Sequence, residues 1–515
     1  MLRTPKRLIA LTIILFWLLM MGTLLYREVV MPRMYRGLRS QRIVTPQTLW
    51  LGVYFGESQR VGFVHLRTTP EERDSEKGYA MQVMVRLELP LFGQSTRFHF
   101  SGGAWQSAQA GLRNFDFTFA SGDHEMRIEG DARDGVIEAV LTTAGESIPF
   151  RFPVGREVLL AGGMGLGASS MPKLTPGQIA YVDTFDPTTM SVGRAKIEAL
   201  RRETIEIAGE PVETVLTATT VAGITSRAWI NENEEVVRAE LPFGLIIKQI
   251  SPEEALAPLA SDESVNIIRA LAIPVTGPAP DPDASALRLR ISGVSEELMP
   301  PSDERQQRQT NGIYLIGRQD PRDAVEETPL APEEAAAYLA ADLFIQSNHP
   351  RIIETAQMIV GDTEDAWGKA VGIHDWLYEN IAKEHVLSVP SALDALEART
   401  GDCNEHAVLF CALARAVGVP SRVVIGLAWS RQMQAFGYHA WVEVYGDRWI
   451  AMDPTFGERT VSPTHIKLFS GGIDQWPRLL PYIGALEIET LDLVLNGRAS
   501  TLQLELKWHQ RITAA

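Results

Sequence analysis

From about Thr45 to Ile250 the dominant side-chain period is two, and a chain that sustains this pattern so long has few folds open to it. Tyr79–Leu89, Gly135–Thr143, Val212–Val221 and Thr225–Asn231 alternate or are rich in β-branched residues, and turn residues bound them. Glu232-Asn233-Glu234, followed by Val236–Leu241, reads as a polar turn with a strand on each side. The pattern predicts a β-rich antiparallel region over 45–270, long and curved, in two similar halves joined near 160–178. No fixed-period repeat is present. Within the joint, Glu157–Ala161 runs into Gly163-Met164-Gly165-Leu166-Gly167-Ala168, which imitates a strand followed by a dinucleotide fingerprint. That fingerprint needs a helix to open at once so that its N-terminus faces a pyrophosphate. Pro172 and Pro176-Gly177 follow instead, so the segment reads as a turn.

Beyond the β-rich region, the four prolines of 274–285 suggest a semi-rigid linker. A short β segment is expected over 286–330. From Pro332 the period becomes helical, with helices read over Pro332–Gln346, Pro350–Val360 and Thr363–His385. Leu486–Leu495 and Thr501–Trp508 alternate around Asn496-Gly497 and predict a C-terminal β hairpin over 485–510.

At the other end, Leu8–Tyr26 carries no charge and is long enough to span the ~30 Å hydrocarbon core of a bilayer. Arg3, Lys6 and Arg7 precede it, the run exceeds a secretory h-region, and no A-x-A-like cleavage site follows. It is read as an uncleaved transmembrane anchor within residues 1–30, in preference to a cleaved signal peptide or a buried helix. Arg27, Arg33, Arg36, Arg39 and Arg42 follow it, so a positive-inside count does not favour an N-in orientation. The short leader and the large soluble body carry that choice, and the expected localisation is a single-pass membrane protein whose soluble part is periplasmic.

Composition narrows the function. With 48 Lys and Arg against 64 Asp and Glu in 515 residues the formal net charge is −16, which argues against a nucleic-acid partner. Two cysteines exclude a disulfide framework and leave room for a catalytic thiol.

One cysteine has the setting for that role. Thr400-Gly401-Asp402-Cys403-Asn404-Glu405-His406 opens a helix, with Asp402 as N-cap and Glu405 completing a capping box. Gly418 and Pro420 end it. Cys403 therefore lies in the first turn, where the helix dipole favours a thiolate. Cys411, eight residues on, lies ~12 Å away along the axis, beyond the ~7 Å reach of a disulfide, and reads as core. Downstream, Ser421–Trp429 and Gly437–Tyr445 read as strands, and Trp449–Pro454 returns antiparallel after Gly446-Asp447-Arg448. Pairing Tyr445 with Trp449 sets Trp441 opposite Asp453 and makes His439 and Asp453 diagonal neighbours on one face. Nucleophile, base and orienter are then all present. On the residues alone, a cysteine acyl-transfer site stands beside satisfied structural residues. A metal site is a weaker third reading, because Cys403, His406 and His439 lack a zinc spacing.

The motifs Gly401-Asp402-Cys403, Arg415–Arg422, His439-Ala440-Trp441-Val442-Glu443 and Asp453-Pro454-Thr455 resemble those of the bacterial transglutaminase-like superfamily, in the order Cys, His, Asp. The similarity covers roughly residues 335–470. It implies a papain-like α+β catalytic domain, placed at 331–475, and makes the whole chain an α+β protein with an anchor and a β-rich N-terminal region. It further implies that Cys403 attacks an amide carbonyl, His439 moves the proton and Asp453 orients His439. The resulting thioester would pass to water, as in a protease or amidase, or to an amine; hydrolysis is preferred here. The Cys403 N–H is one implied oxyanion donor. No cofactor and no metal are expected; the expected substrate is a protein or peptide, such as a cell-wall peptide. Trp376 and Trp441 read as core, His406 as a solvated side chain rather than a support of the site, and Glu405 as a cap. The competing readings are a non-catalytic transglutaminase-like scaffold of the cell envelope and an envelope protein whose β-rich region binds a partner.

Overall fold

The computed structural model describes residue 20 and residues 46–494, except 92–93, 110, 156–157, 161–173, 188–189, 222–223, 242–243, 260–271, 323–328 and 387–388. The period-two region forms a single sheet of fifteen strands. Alternation drives it: in His124–Arg133 the side chains of His124, Met126, Ile128 and Ala132 are buried while Glu125, Arg127 and Glu129 face out. Tight hairpins join the strands, as at Asp134-Gly135, where successive φ values of 51° and 79° suit the right-handed twist.

The strands before and after 160–178 belong to one continuous sheet. Gln47–Phe55 pairs antiparallel with Leu245–Gln249 in the middle of the sheet, with Leu51 opposite Gln249. From there the strands run outward in chain order to Glu146–Pro153 on one side and in reverse chain order to Leu159–Leu160 on the other. The sheet curls back, so that the Leu112 N–H donates to the Val158 carbonyl at 2.8 Å. Phe115 and Phe185 meet with ring centroids 5.2 Å apart. Residues of both halves thus share one core, from Leu51 and Val64 to Phe185 and Ile247. The glycine-rich segment at 163–168 lies outside the described residues.

A second sheet, of nine strands, carries the remainder. Four of its strands matter here: β1 (Ser421–Ser430), β2 (Ala435–Tyr445), β3 (Trp449–Met452) and β4 (His465–Ser470). Helices α1 (Pro350–Val360), α2 (Ala366–Asn380), α3 (Ala392–Ala398) and α4 (Cys403–Ala416) surround a core to which α4 gives everything from Ala407 to Ala414. Ile273–Thr276, at the head of the stretch read as a linker, is a strand between β2 and Glu487–Val494. Glu487–Val494 is the first half of the expected terminal hairpin and pairs with Ala286–Ser292; the second half lies outside the described residues.

Two expectations are corrected. The chain is mostly β, 52% strand against 19% helix, rather than α+β. The helical reading ran too far: Pro332–Gln346 stops at Leu339, and Thr363–His385 stops at Asn380 because Ala382–Lys383 turns extended to pair with Thr400–Gly401. The transmembrane helix, and with it the single-pass periplasmic placement, is also withdrawn. Among the described residues no helix is long and apolar enough to cross a membrane. Leu8–Tyr26 itself, apart from Met20, lies outside those residues.

Candidate active site

The start of α4 is built by its own sequence. The Asp402 side chain accepts from the Asn404 N–H at 2.7 Å, and Glu405 Oε2 accepts from the Asp402 N–H at 3.0 Å, closing the expected capping box. Gly401 is needed for this closure, since a Cβ there would stand 2.4 Å from that of Glu405. Cys403 follows as the first helical residue, half-buried, and its own N–H is among those a helix start leaves without an intrahelical acceptor. Cys411 is fully buried in the core, burial pushes its thiol up to about 11, and both cysteines are free.

The sulfur reaches the strand that carries His439 through a gap in the sheet. One edge of β2 pairs with Ile273-Pro274 at Ala435-Phe436 and with β3 from Val442 onward. Between these pairings the Ala440 N–H bonds Cys403 Sγ, which sets the sulfur against the backbone of the residue after His439. The Tyr445–Trp449 register is the expected one, and it delivers Asp453 one residue beyond β3. His439 Nε2 donates to Asp453 Oδ2 at 2.7 Å. That leaves Nδ1 as the ring nitrogen available to a thiol. Phe456, exposed on its outer side, stacks on the imidazole with centroids 4.3 Å apart and planes 15° from parallel.

The electrostatics depart from the helix-dipole expectation. Burial, foremost, and the carboxylates of Asp402, Glu405 and Asp453 push the Cys403 thiol well up, against the pull of the Ala440 N–H. Burial and these carboxylates thus act against the helix terminus. Asp453 behaves in the opposite way. Burial by itself would raise its carboxyl, but His439 and His465 hold it well below the usual carboxylate range. Its Oδ1 accepts from the Thr455 N–H at 2.8 Å and the Phe456 N–H at 3.0 Å, so both oxygens are committed.

Sequence reasoning missed His465. It is fully buried at the start of β4, and its Nε2 donates to Asp453 Oδ2 at 3.1 Å while Nδ1 meets Ser462 Oγ at 3.2 Å. Only the pairing of β1 with β4 brings it there, Ala428 lying opposite His465. His374, on α2, also went unnoticed; its Nε2 donates to the Asp453 carbonyl at 3.1 Å. His406 was misread as solvated. It is buried, and its Nδ1 donates to the Asp402 carbonyl at 2.7 Å, bracing the turn before Cys403. Trp441 is buried as expected, its ring edge-on to His465 at 5.2 Å. Gly426 gives it room: a Cβ there would come within 2.5 Å of the indole.

His439, Asp453 and His465 also group three potential metal-ligand atoms within 4.8 Å. In the observed arrangement both imidazoles donate to one carboxylate oxygen, and a cation would have to displace both bonds. The geometry is that of a hydrogen-bonded relay.

Residues 353–454 match the family described as the Transglutaminase-like superfamily, a span that includes Cys403, His439 and Asp453. No curated protein matches the chain. Among solved structures, one described as a "Putative Cysteine Protease" from Cytophaga hutchinsonii is 21% identical, covering 41% of this chain and 84% of its own, with a TM-score of 0.28. A "putative protease" from Parabacteroides distasonis is 10% identical over 81% of this chain and 72% of its own, at a TM-score of 0.19. A β-barrel-like protein of unknown function from Brucella abortus is 8% identical over 40% of this chain and 97% of its own, at 0.29. At such TM-scores these likenesses carry no argument, and the family match over 353–454 stands by itself.

Proposed function

We propose that the transglutaminase-like domain of this chain is a thiol acyl-transfer centre that cleaves amide or isopeptide bonds in a protein or peptide, with Cys403 as nucleophile, His439 as base and Asp453 as its orienter. One observation carries the reading: Asp453 takes His439 Nε2 while Cys403 Sγ lies on the Ala440 N–H, so Nδ1, on the open edge of the imidazole, is the atom left for the sulfur. His439 would draw the thiol proton onto Nδ1, and the resulting cation would be stabilised by the Asp453 carboxylate. The thiolate would add to the carbonyl carbon and expel the amine, which takes the proton back from His439. Water would then attack the thioester, giving its proton to His439, and the acid would leave as the sulfur takes that proton back; this reading prefers hydrolysis to transfer. The competing reading is a transglutaminase-like scaffold without turnover. A buried carboxylate whose two oxygens are both bonded, and which fixes His439 through Nε2 while leaving Nδ1 open, favours the enzyme.

Alkylation separates the two. With iodoacetamide between about pH 6 and 8, Cys403 in the full chain is expected to react faster than an ordinary thiol of pKa ~8.5. His439→Ala should slow it roughly a hundredfold and move its onset above that pH, since burial and carboxylates then act unopposed. Equal rates in parent and His439→Ala would favour the scaffold.

A further inference from the structure

Beside the loop that presents Cys403 lies a cleft of about 960 Å³. Its floor is the face of the fifteen-stranded sheet turned away from the core: Arg86 stands opposite His99 and Glu88 opposite Arg97, while the preceding Val85 is buried. One wall is the chain from Ala255 to Leu259. Arg60 fixes that wall, its guanidinium donating to the carbonyls of Ala255 at 2.8 Å and Ala257 at 2.6 Å. Glu384, His385 and Val386 form the other wall. Thr96 Oγ1 ties this wall to the sheet through the His385 carbonyl at 3.1 Å, and the Glu384 N–H ties it to the Gly401 carbonyl at 3.1 Å. Gly401 precedes the nucleophile by two residues, so a few residues of extended chain, at ~3.3–3.6 Å each, lead from the cleft towards Cys403.

The charge of this cleft runs against that of the molecule. In a chain of net charge −16 its lining sets Arg60, Arg86 and Arg97 against Glu88 and Glu384. Arg86 and Arg97 are exposed and make no ion pair among the described residues, and the carbonyls that hold Arg60 do not neutralise it. Burial and the charge of Arg86 push His99 down, and no carboxylate offsets them. Guanidinium groups in a concave site bind carboxylates with paired hydrogen bonds and draw them in from solution.

We propose that this cleft binds an acidic stretch of polypeptide, the part of the substrate that flanks the bond offered to Cys403. The word substrate rests on the thiol-enzyme reading; the binding itself does not. Accordingly the test uses the full chain carrying Cys403→Ala, with fluorescence anisotropy of a labelled glutamate-rich peptide and its glutamine counterpart. The glutamate peptide should bind at least about tenfold more tightly and weaken as ionic strength rises. Arg86→Glu/Arg97→Glu should remove that preference and Arg86→Gln/Arg97→Gln should reduce it, with unchanged melting temperatures reporting an intact fold. Arg133→Glu/Arg227→Glu, the same charge change outside the cleft, should leave it in place. Equal binding of the two peptides, equal loss in both charge-reversed pairs, or displacement of the peptide by inorganic phosphate at matched charge would each overturn the proposal. Alkylation of Cys403 in the parent chain judges the enzymatic reading separately.

Discussion

Asp453 shares one oxygen between two imidazoles, and the second, His465, bears on how well the first is held. A buried carboxylate that loses a donor is left with burial as the stronger influence, which raises its pKa. In His465→Ala the Asp453 carboxyl should therefore rise toward the ordinary range, and His439 should lose part of its anchor. Cys403 alkylation near pH 7 is expected to fall about tenfold, a scale typical of partners that orient a reacting group. The loss of reactivity on acidification should also begin at higher pH. His465→Gln, which can still donate to the carboxylate, should recover part of both effects. The groups facing His465 are Asp453, Glu458 at 3.9 Å, and Arg305, which donates to its carbonyl at 2.8 Å. A merely structural His465 would lower the melting temperature and leave the acid limb where it was; a pH series of alkylation rates distinguishes the two.

At the scale of elements, local features were legible and non-local ones were not. The capping box of α4 and the β2–β3 register follow from residues within a few positions of each other, and both stand as read. The state of the Cys403 thiol did not follow, because the dipole is local whereas the burial and the carboxylate of Asp453 arrive through tertiary packing. His465 was invisible for the same reason, since β4 reaches β1 only in the folded sheet. Helix ends were overrun where a short β pairing, Ala382–Lys383 with Thr400–Gly401, competed with helical periodicity. A further non-local contact ties the two sheets' regions together at this same loop. His124, inside the fifteen-stranded sheet, bonds Asp394 of α3 through Nδ1, and Nε2 meets Thr400 Oγ1 at 3.2 Å. Burial alone would lower His124, but the Asp394 carboxylate, with Glu405 and Asp123, raises it above its ordinary value. A histidine raised on folding contributes stability in full below its unfolded pKa of ~6.5 and loses it as pH climbs through the folded value. His124→Gln should therefore cost about 3 kcal/mol near pH 6, as expected for breaking a buried pair. The cost should be clearly less near pH 9. Melting curves of parent and variant at the two pH values decide it, and a difference that grows with pH would refute the assignment.

At the scale of the whole molecule, the long alternating region was legible as a sheet, but not its relation to the part that carries Cys403, because alternation defines a face and says nothing of what covers it. Val389, Leu343 and Phe344, from the chain flanking α1–α3, pack into the core of the fifteen-stranded sheet, and Trp476 touches the cores of both sheets. Ile148 of the first sheet likewise packs against both. Cores that share side chains lose contacts together, so the two regions should unfold as one cooperative unit rather than in sequence. Val389 is the sharpest probe, being almost wholly buried at this boundary. Val389→Asp places an unpaired carboxylate there, at a cost of several kcal/mol to the contact while each core keeps its own interior. Scanning calorimetry of the parent should give a single transition, and Val389→Asp should split it into two, the lower one carrying the loss of Cys403 alkylation. Two transitions in the parent, or a variant that melts like it, would mean that the sheets are energetically independent and that the β-rich region does not brace the Cys403 loop.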